Sequence, residues 1–258
     1  MPDLLPLALA TLVSFVAGLV DAMAGGGGIL TMPTIAGFGL PVAFIGGTNK
    51  VVGTSGSSMA TLRFLLHGQI HRPTVLIAAP LSAIGAGAGA LALIHLGRFD
   101  ERLGRGLIAG LLLVMAVYLF LKPQLAEGTG YPGASPRTVA LTAATGLTLG
   151  FYDGFFGPGT GSFLGFAMVR LLGFDFIVGT GNAKALNFAS NLASVVTFIV
   201  QGKVVWLIAL PMGAANAAGA YLGASLAIRR GARFVRWVFL AMAAAIAARL
   251  IVAAATGR

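Results

Sequence analysis

Apolar runs of about 20 residues recur along the whole chain, separated by short polar breaks. Within each run the hydrophobicity is continuous and does not alternate, so the runs read as helices and not as barrel strands. Residues 4–24 form the first. Pro6 falls in its opening turn, where a missing N–H costs little. Gly25 to Gly28 then break it, since each glycine costs a helix about 1 kcal/mol relative to alanine. Residues 29–38 are too short to cross a bilayer and read as a re-entrant or half helix. Gly39-Leu-Pro41 turns the chain into a long segment, 42–66. A loop with His67, His71, Arg72 and Pro73 follows, and its histidines read as solvated. Further spans are expected at 74–96 and 107–121, the latter closed by Lys122-Pro123. The pattern then returns: 139–156, a short 163–172, then 177–200, 204–228 and 234–255. The fold class is all-α, a polytopic helical membrane protein.

One pattern occurs twice. Gly18-Leu-Val-Asp21-Ala-Met-Ala-Gly25-Gly26-Gly27-Gly28 is matched, altered, by Gly150-Phe-Tyr-Asp153-Gly-Phe-Phe-Gly157-Pro158-Gly159-Thr160-Gly161. Lys50 recurs as Lys184, Gly68 as Gly202 and Arg98 as Arg229, each about 130 residues later. That period is far too long for a solenoid and suits a transporter of two homologous halves. Residues 1–126 are read as the first repeat, 127–137 (EGTGYPGASPR) as a Gly/Pro/Ser-rich linker, and 138–258 as the second. Each half carries one glycine-broken helix and one short segment.

Composition sharpens the membrane reading. The chain of 258 residues is 57% hydrophobic and 9% charged, against about 25% charged in a soluble domain. The formal charge of +10 comes from 17 Lys+Arg against 7 Asp+Glu. The basic residues sit at segment ends, which is the signature of cytoplasmic loops and not of a nucleic-acid surface. The two most basic loops, Arg98–Arg105 and Arg229–Arg236, hold equivalent positions and should both face the cytoplasm. Eight crossings follow, with both termini and the linker outside it. Counting each short segment as a crossing gives ten and inverted repeats. Ala22-Met-Ala24 resembles a signal-peptidase site, but the stretch before it has no Lys or Arg and carries Asp3, so no cleavage is expected. The lack of cysteine excludes disulfides and thiolate metal sites.

The candidate chemistry lies inside the spans. Lys50 and Lys184 each stand mid-segment, where a lysine costs about 2.5–3.5 kcal/mol to insert. They are read as anion contacts; the alternative is that each pairs with a carboxylate only to hold the fold. Asp21 and Asp153 are the natural counter-charges, or proton carriers coupling transport to a gradient. Thr48, Asn49, Asn182, Asn187 and Asn191 lie close in sequence as neutral partners. Gly26, Gly27, Gly159 and Thr160 expose backbone at the breaks, and a half helix starting there points N–H groups that attract anions. Thr54, Ser55, Ser57, Ser58 and Thr61 form a hydroxyl-rich stripe, either a packing surface or a polar wall. The Gly85-Ala-Gly87-Ala-Gly89 stripe should let a neighbouring helix approach closely.

No P-loop, dinucleotide motif, paired metal-spaced histidines or catalytic triad is present, so no enzyme, cofactor or metal is expected. Expected partners are a small anion and membrane lipid, with a homo-oligomer left open. Gly18-x-x-Asp21 with Gly25–Gly28 and Pro33, then Thr48-Asn49-Lys50, resembles the first half of the TauE/SafE sulfite exporter family. Gly150-Phe-x-Asp153-Gly-x-x-Gly157-Pro158-Gly159-Thr160-Gly161, with Ala183-Lys184-x-x-Asn187-Phe-x-Ser190-Asn191, resembles its second half. The resemblance implies a prokaryotic inner-membrane secondary transporter for sulfite or an organosulfonate, working by alternating access; an uncoupled anion channel is the alternative. The first copy has Thr54 and Gly56 where the second has Phe188 and Ser190, so the two half-sites are not chemically equal.

Overall fold

The computed structural model describes residues 4–99 and 130–256, with side chains up to 96 and from 130 to 231, and at 234 and 235. The expected span at 107–121 lies outside the described residues. The described chain is helical throughout. It runs α1 (Leu4–Ala24), α2 (Gly28–Ala36), α3 (Val42–Leu66), α4 (Arg72–Phe99), α5 (Pro136–Phe155), α6 (Thr160–Phe166), α7 (Phe176–Val200) and α8 (Trp206–Thr256). A π turn, Ala167–Leu171, continues α6. In α8 the backbone breaks at Gly231, where φ is +73°, between the two spans expected there.

Local signals set these ends. Ser135 caps α5 by accepting the Thr138 N–H at 3.1 Å, with Pro136 in the first turn. Asp175 caps α7 through the N–H groups of Ile177 and Val178. α3 and α7 end alike. Gly68 and Gly202 take φ of +67° and +63°, and the next residue's N–H reaches back to Phe64 in one case and Phe198 in the other. Glycine relieves the left-handed turn that closes a helix this way.

The long helices pack in a row: α1, α8, α3, α7, α4, α5. α3 and α7 are central, and α2 and α6 wedge beside them. At both ends of the row backbone meets backbone. A Cβ on Gly146, Gly150 or Gly154 of α5 would strike the backbone of Ala78, Ser82 or Ala86 on α4. The expected close approach at Gly85 and Gly89 is this same contact, made on the carbonyls of Leu147 and Phe151. α1 meets α8 similarly, with Gly18 on the Asn216 carbonyl. Small residues spaced by four allow such contact where the surrounding lipid supplies no hydrophobic drive.

Leu4, Leu76 and Val200 are largely exposed on the outer faces. Among the described residues, four helices are long and apolar enough to cross a membrane: Leu4–Ala24, Arg72–Leu96, Phe176–Val200 and Trp206–Gly231. α3 and α5 have the length, at 25 and 20 residues, but are less apolar because they turn polar groups inward. Thr48, Asn49, Lys50 and Ser57 of α3 are buried, as are Thr142, Thr145 and Asp153 of α5. The nine residues of α2 reach only about 13 Å, too short to span the hydrocarbon.

Candidate functional site

The two glycine breaks meet at the centre of the row. After α1, Gly25 and Gly26 take φ of +78° and +89°; after α5, Gly157 and Gly159 take +92° and +84°. Only glycine holds these conformations without strain. The breaks touch so closely that a Cβ on Gly25 would strike Gly161 and Ser162, and one on Gly28 would meet Pro158. The Ser162 hydroxyl ties them by donating to the Ala24 carbonyl at 3.0 Å.

Each aspartate beside a break pairs with a distant lysine. Lys184 Nζ lies 2.8 Å from Asp21 Oδ2, and Lys50 Nζ lies 2.8 Å from Asp153 Oδ1. Neither lysine pairs with the carboxylate nearer to it in sequence. Asp21 Oδ1 accepts the Gly27 N–H at 3.0 Å, so the chain's own carboxylate occupies the start of α2. Asp153 Oδ2 accepts from the Ser190 hydroxyl and, at 3.5 Å, from the Asn187 amide.

Beside these pairs lies a polar cavity of about 40 Å³. Its wall includes Asp21, Gly27, Asn49, Lys50, Asp153, Gly159, Asn187 and Asn191. The bonds around it set how the amides point. An ammonium has no lone pair, so Asn191 turns Oδ1 to Lys50 Nζ at 3.0 Å and presents its NH2 elsewhere. Asn49 gives Oδ1 to the Thr31 hydroxyl at 2.6 Å, which likewise leaves an NH2 end. The wall therefore sets these NH2 ends and Lys50 beside the paired Asp21 and Asp153 carboxylates.

Other residues singled out in the sequence sit elsewhere. Lys184 is buried off the wall, behind Gly161. Gly26 shapes the first break without lining the cavity, and the Thr160 hydroxyl bonds the Gly157 carbonyl. Thr48 and Asn182 do not face the cavity. Thr48 accepts the Val205 N–H at 3.1 Å and Asn182 accepts the His71 N–H at 2.8 Å, each satisfying backbone near a helix start. His71 itself packs on the rings of Tyr131 and Phe174. The hydroxyls of Thr54, Ser55, Ser57 and Ser58 bond carbonyls of their own helix, which suits a packing surface.

Sequence reading missed Thr31, Gly53 and Asn216 on the wall, while Gly157 and Gly161, also there, belong to the glycine break it singled out. Asn216 carried one signal, an amide alone in an apolar span. Its NH2 donates to the Ser14 carbonyl at 2.9 Å and anchors α8 on α1.

This arrangement can be set beside known proteins. The family model described as Sulfite exporter TauE/SafE matches residues 10–250. The chain belongs to the TauE/SafE sulfite exporter family. It is 36% identical over 245 residues to "Probable membrane transporter protein ORF9" of Sinorhizobium sp, covering 95% of this chain and 92% of that one. It is 33% identical to a "Probable membrane transporter protein" of Haemophilus influenzae, over 95% and 94% of the two chains. For "Probable membrane transporter protein YfcA" of Escherichia coli K12 the figures are 34%, 95% and 90%. No solved structure matches. As a TauE/SafE member the chain is a membrane transporter, and its apolar helices make it a multi-pass integral membrane protein.

Proposed function

We propose that this TauE/SafE protein is a secondary transporter for a small oxyanion, sulfite or a compact sulfonate, in a prokaryotic inner membrane. One observation carries the reading: a polar cavity, walled by Lys50, by amides and by two ion-paired carboxylates, sits where two glycine-broken helices meet. By volume it has room for about three water-sized groups, the scale of an inorganic oxyanion. Lys50 and the NH2 ends of Asn49 and Asn191 make the first contacts. Asn187 supports them through Asp153, and Lys184 acts from behind Gly161. Gly27 and Gly159 let backbone approach the solute.

The chain works as two homologous halves, with α2 and α6 re-entrant and eight crossings in all. Several matched contacts support this. Asp21–Lys184 mirrors Asp153–Lys50. Thr48 serves Val205 as Asn182 serves His71. Gly47 abuts the Lys203 carbonyl as Gly181 abuts that of Gln69. All of these partners come from opposite halves, so rocking one half on the other would open and remake both ion pairs, as alternating access requires.

A thermal-shift panel tests the reading, using sulfite, sulfate, thiosulfate, sulfoacetate and taurine on the purified protein. A ligand should stabilise the wild type and lose its effect in Lys50→Ala. Counterflow in proteoliposomes then separates a transporter, whose labelled flux is accelerated by unlabelled solute on the far side, from a channel. Stabilisation by no anion, or an effect unchanged in Lys50→Ala, removes the site.

A further inference from the structure

The two ion pairs are built differently. Asp153 is sealed: Oδ1 faces Lys50, Oδ2 takes Ser190 and Asn187, and its side chain is 2% exposed. Among the described residues Asp21 holds only Lys184 and one backbone N–H, and its side chain is 21% exposed on the cavity wall. The sequence explains the contrast. Where α7 presents Asn187 and Ser190 to Asp153, the matching positions of α3 are Gly53 and Gly56. No side chain from there can close over Asp21.

The charges facing Asp21 can be counted. α7 brings Lys184, and across the cavity stand Lys50 of α3 and Asp153 of α5. The wall residues of α2, α6 and α8 are Gly28, Thr31, Gly161 and Asn216, none of them ionisable. Among the described residues, two cations thus balance two carboxylates. An entering monoanion adds a charge that the low-dielectric interior penalises strongly. Neutrality returns when one carboxylate takes a proton from water as the anion arrives.

We infer that Asp21 is that carboxylate, so that a monoanion enters together with one proton, and the released Lys184 ammonium becomes the anion's partner. Asp153 keeps its charge and holds Lys50 in place. This rests on the transporter reading above.

The test uses sulfite and chlorate, which share a pyramidal XO3 shape. Chlorate keeps a single charge at every working pH. Binding to the purified protein is measured by calorimetry between about pH 6 and 8, where one co-bound proton makes chlorate affinity fall about tenfold per pH unit. In Asp21→Asn the profile should be flat, and Asp21→Glu should restore the slope. Difference infrared spectra of the wild type should gain one protonated-carboxyl band on chlorate binding, and that band should shift in Asp21→Glu, which assigns the proton even if Asp21→Asn does not fold. Two buffers of different ionisation enthalpy should report one proton taken up per chlorate bound by the wild type. A flat wild-type profile, a slope retained in Asp21→Asn, or a protonated-carboxyl band unmoved in Asp21→Glu overturns the inference while the transporter reading stands. Sulfite binding without chlorate binding at the acidic end also overturns it. Binding of neither anion at any pH overturns the transporter reading and this inference with it.

Discussion

Removing the buried Lys50–Asp153 pair one partner at a time should cost far more than removing it whole. At 2.8 Å the attraction is about 6 kcal/mol for an effective dielectric constant of about 20. Desolvation of the two ions takes several kcal/mol each, so the intact pair nets little, whereas one ion left alone costs about 3–5 kcal/mol. Asp153→Asn should fall at the lower end. The substituted amide keeps an oxygen near Nζ, and Asn191 Oδ1 still lies 3.0 Å from it. Lys50→Met should cost at least as much, because it strands the carboxylate among Ser190 and Asn187. The double variant should recover most of the loss, with a coupling of about 3 kcal/mol. Reversible unfolding in mixed micelles, followed by circular dichroism, measures all four proteins. Additive costs would refute the reasoning, since they would mean that the two side chains do not depend on each other. The double variant should fold yet bind no anion, which separates holding the fold from holding the solute.

Gly154→Ala should destabilise, because its Cβ meets the backbone of Ala86, while Gly165→Ala, whose Cβ meets nothing within 4 Å, should be neutral or gain up to about 1 kcal/mol; thermal unfolding in detergent compares them. Thr48→Val and Asn182→Leu should each lower stability by about 1–3 kcal/mol by orphaning a backbone N–H, and leave the anion dissociation constant unchanged. Asn191→Leu should weaken anion binding about tenfold in calorimetry, since it removes a cavity donor and the acceptor that steadies Lys50. The chain has no cysteine, so a single one placed at Gly133 should react with an impermeant maleimide from the non-cytoplasmic side; cytoplasmic labelling would reject the orientation.

Much of the fold was legible before any coordinates. Continuous apolar runs need no partner to declare themselves helical, and Gly25 to Gly28 and Gly157 to Gly161 break a helix by backbone entropy alone. Those signals are local, and α1, α3 and α7 end within a residue or two of where the sequence places them. The isolated charges were equally plain, because a lysine inside an apolar run must find a partner. Which partner was not legible. Asp21 lies nearer in sequence to Lys50, yet it meets Lys184, because α3 and α7 pack side by side and each lysine reaches the break of the other half. The sequence places Thr48, Asn182 and Asn216 inside apolar runs, but does not tell what they touch. Thr48 and Asn182 end on distant backbone N–H groups, and Asn216 reaches the cavity through the packing of α8 on α1. A residue's place in an apolar run is written in one helix alone, whereas a binding site is a property of several helices at once. The residues that can bind were therefore written in the chain, and the residues that do meet were decided by packing.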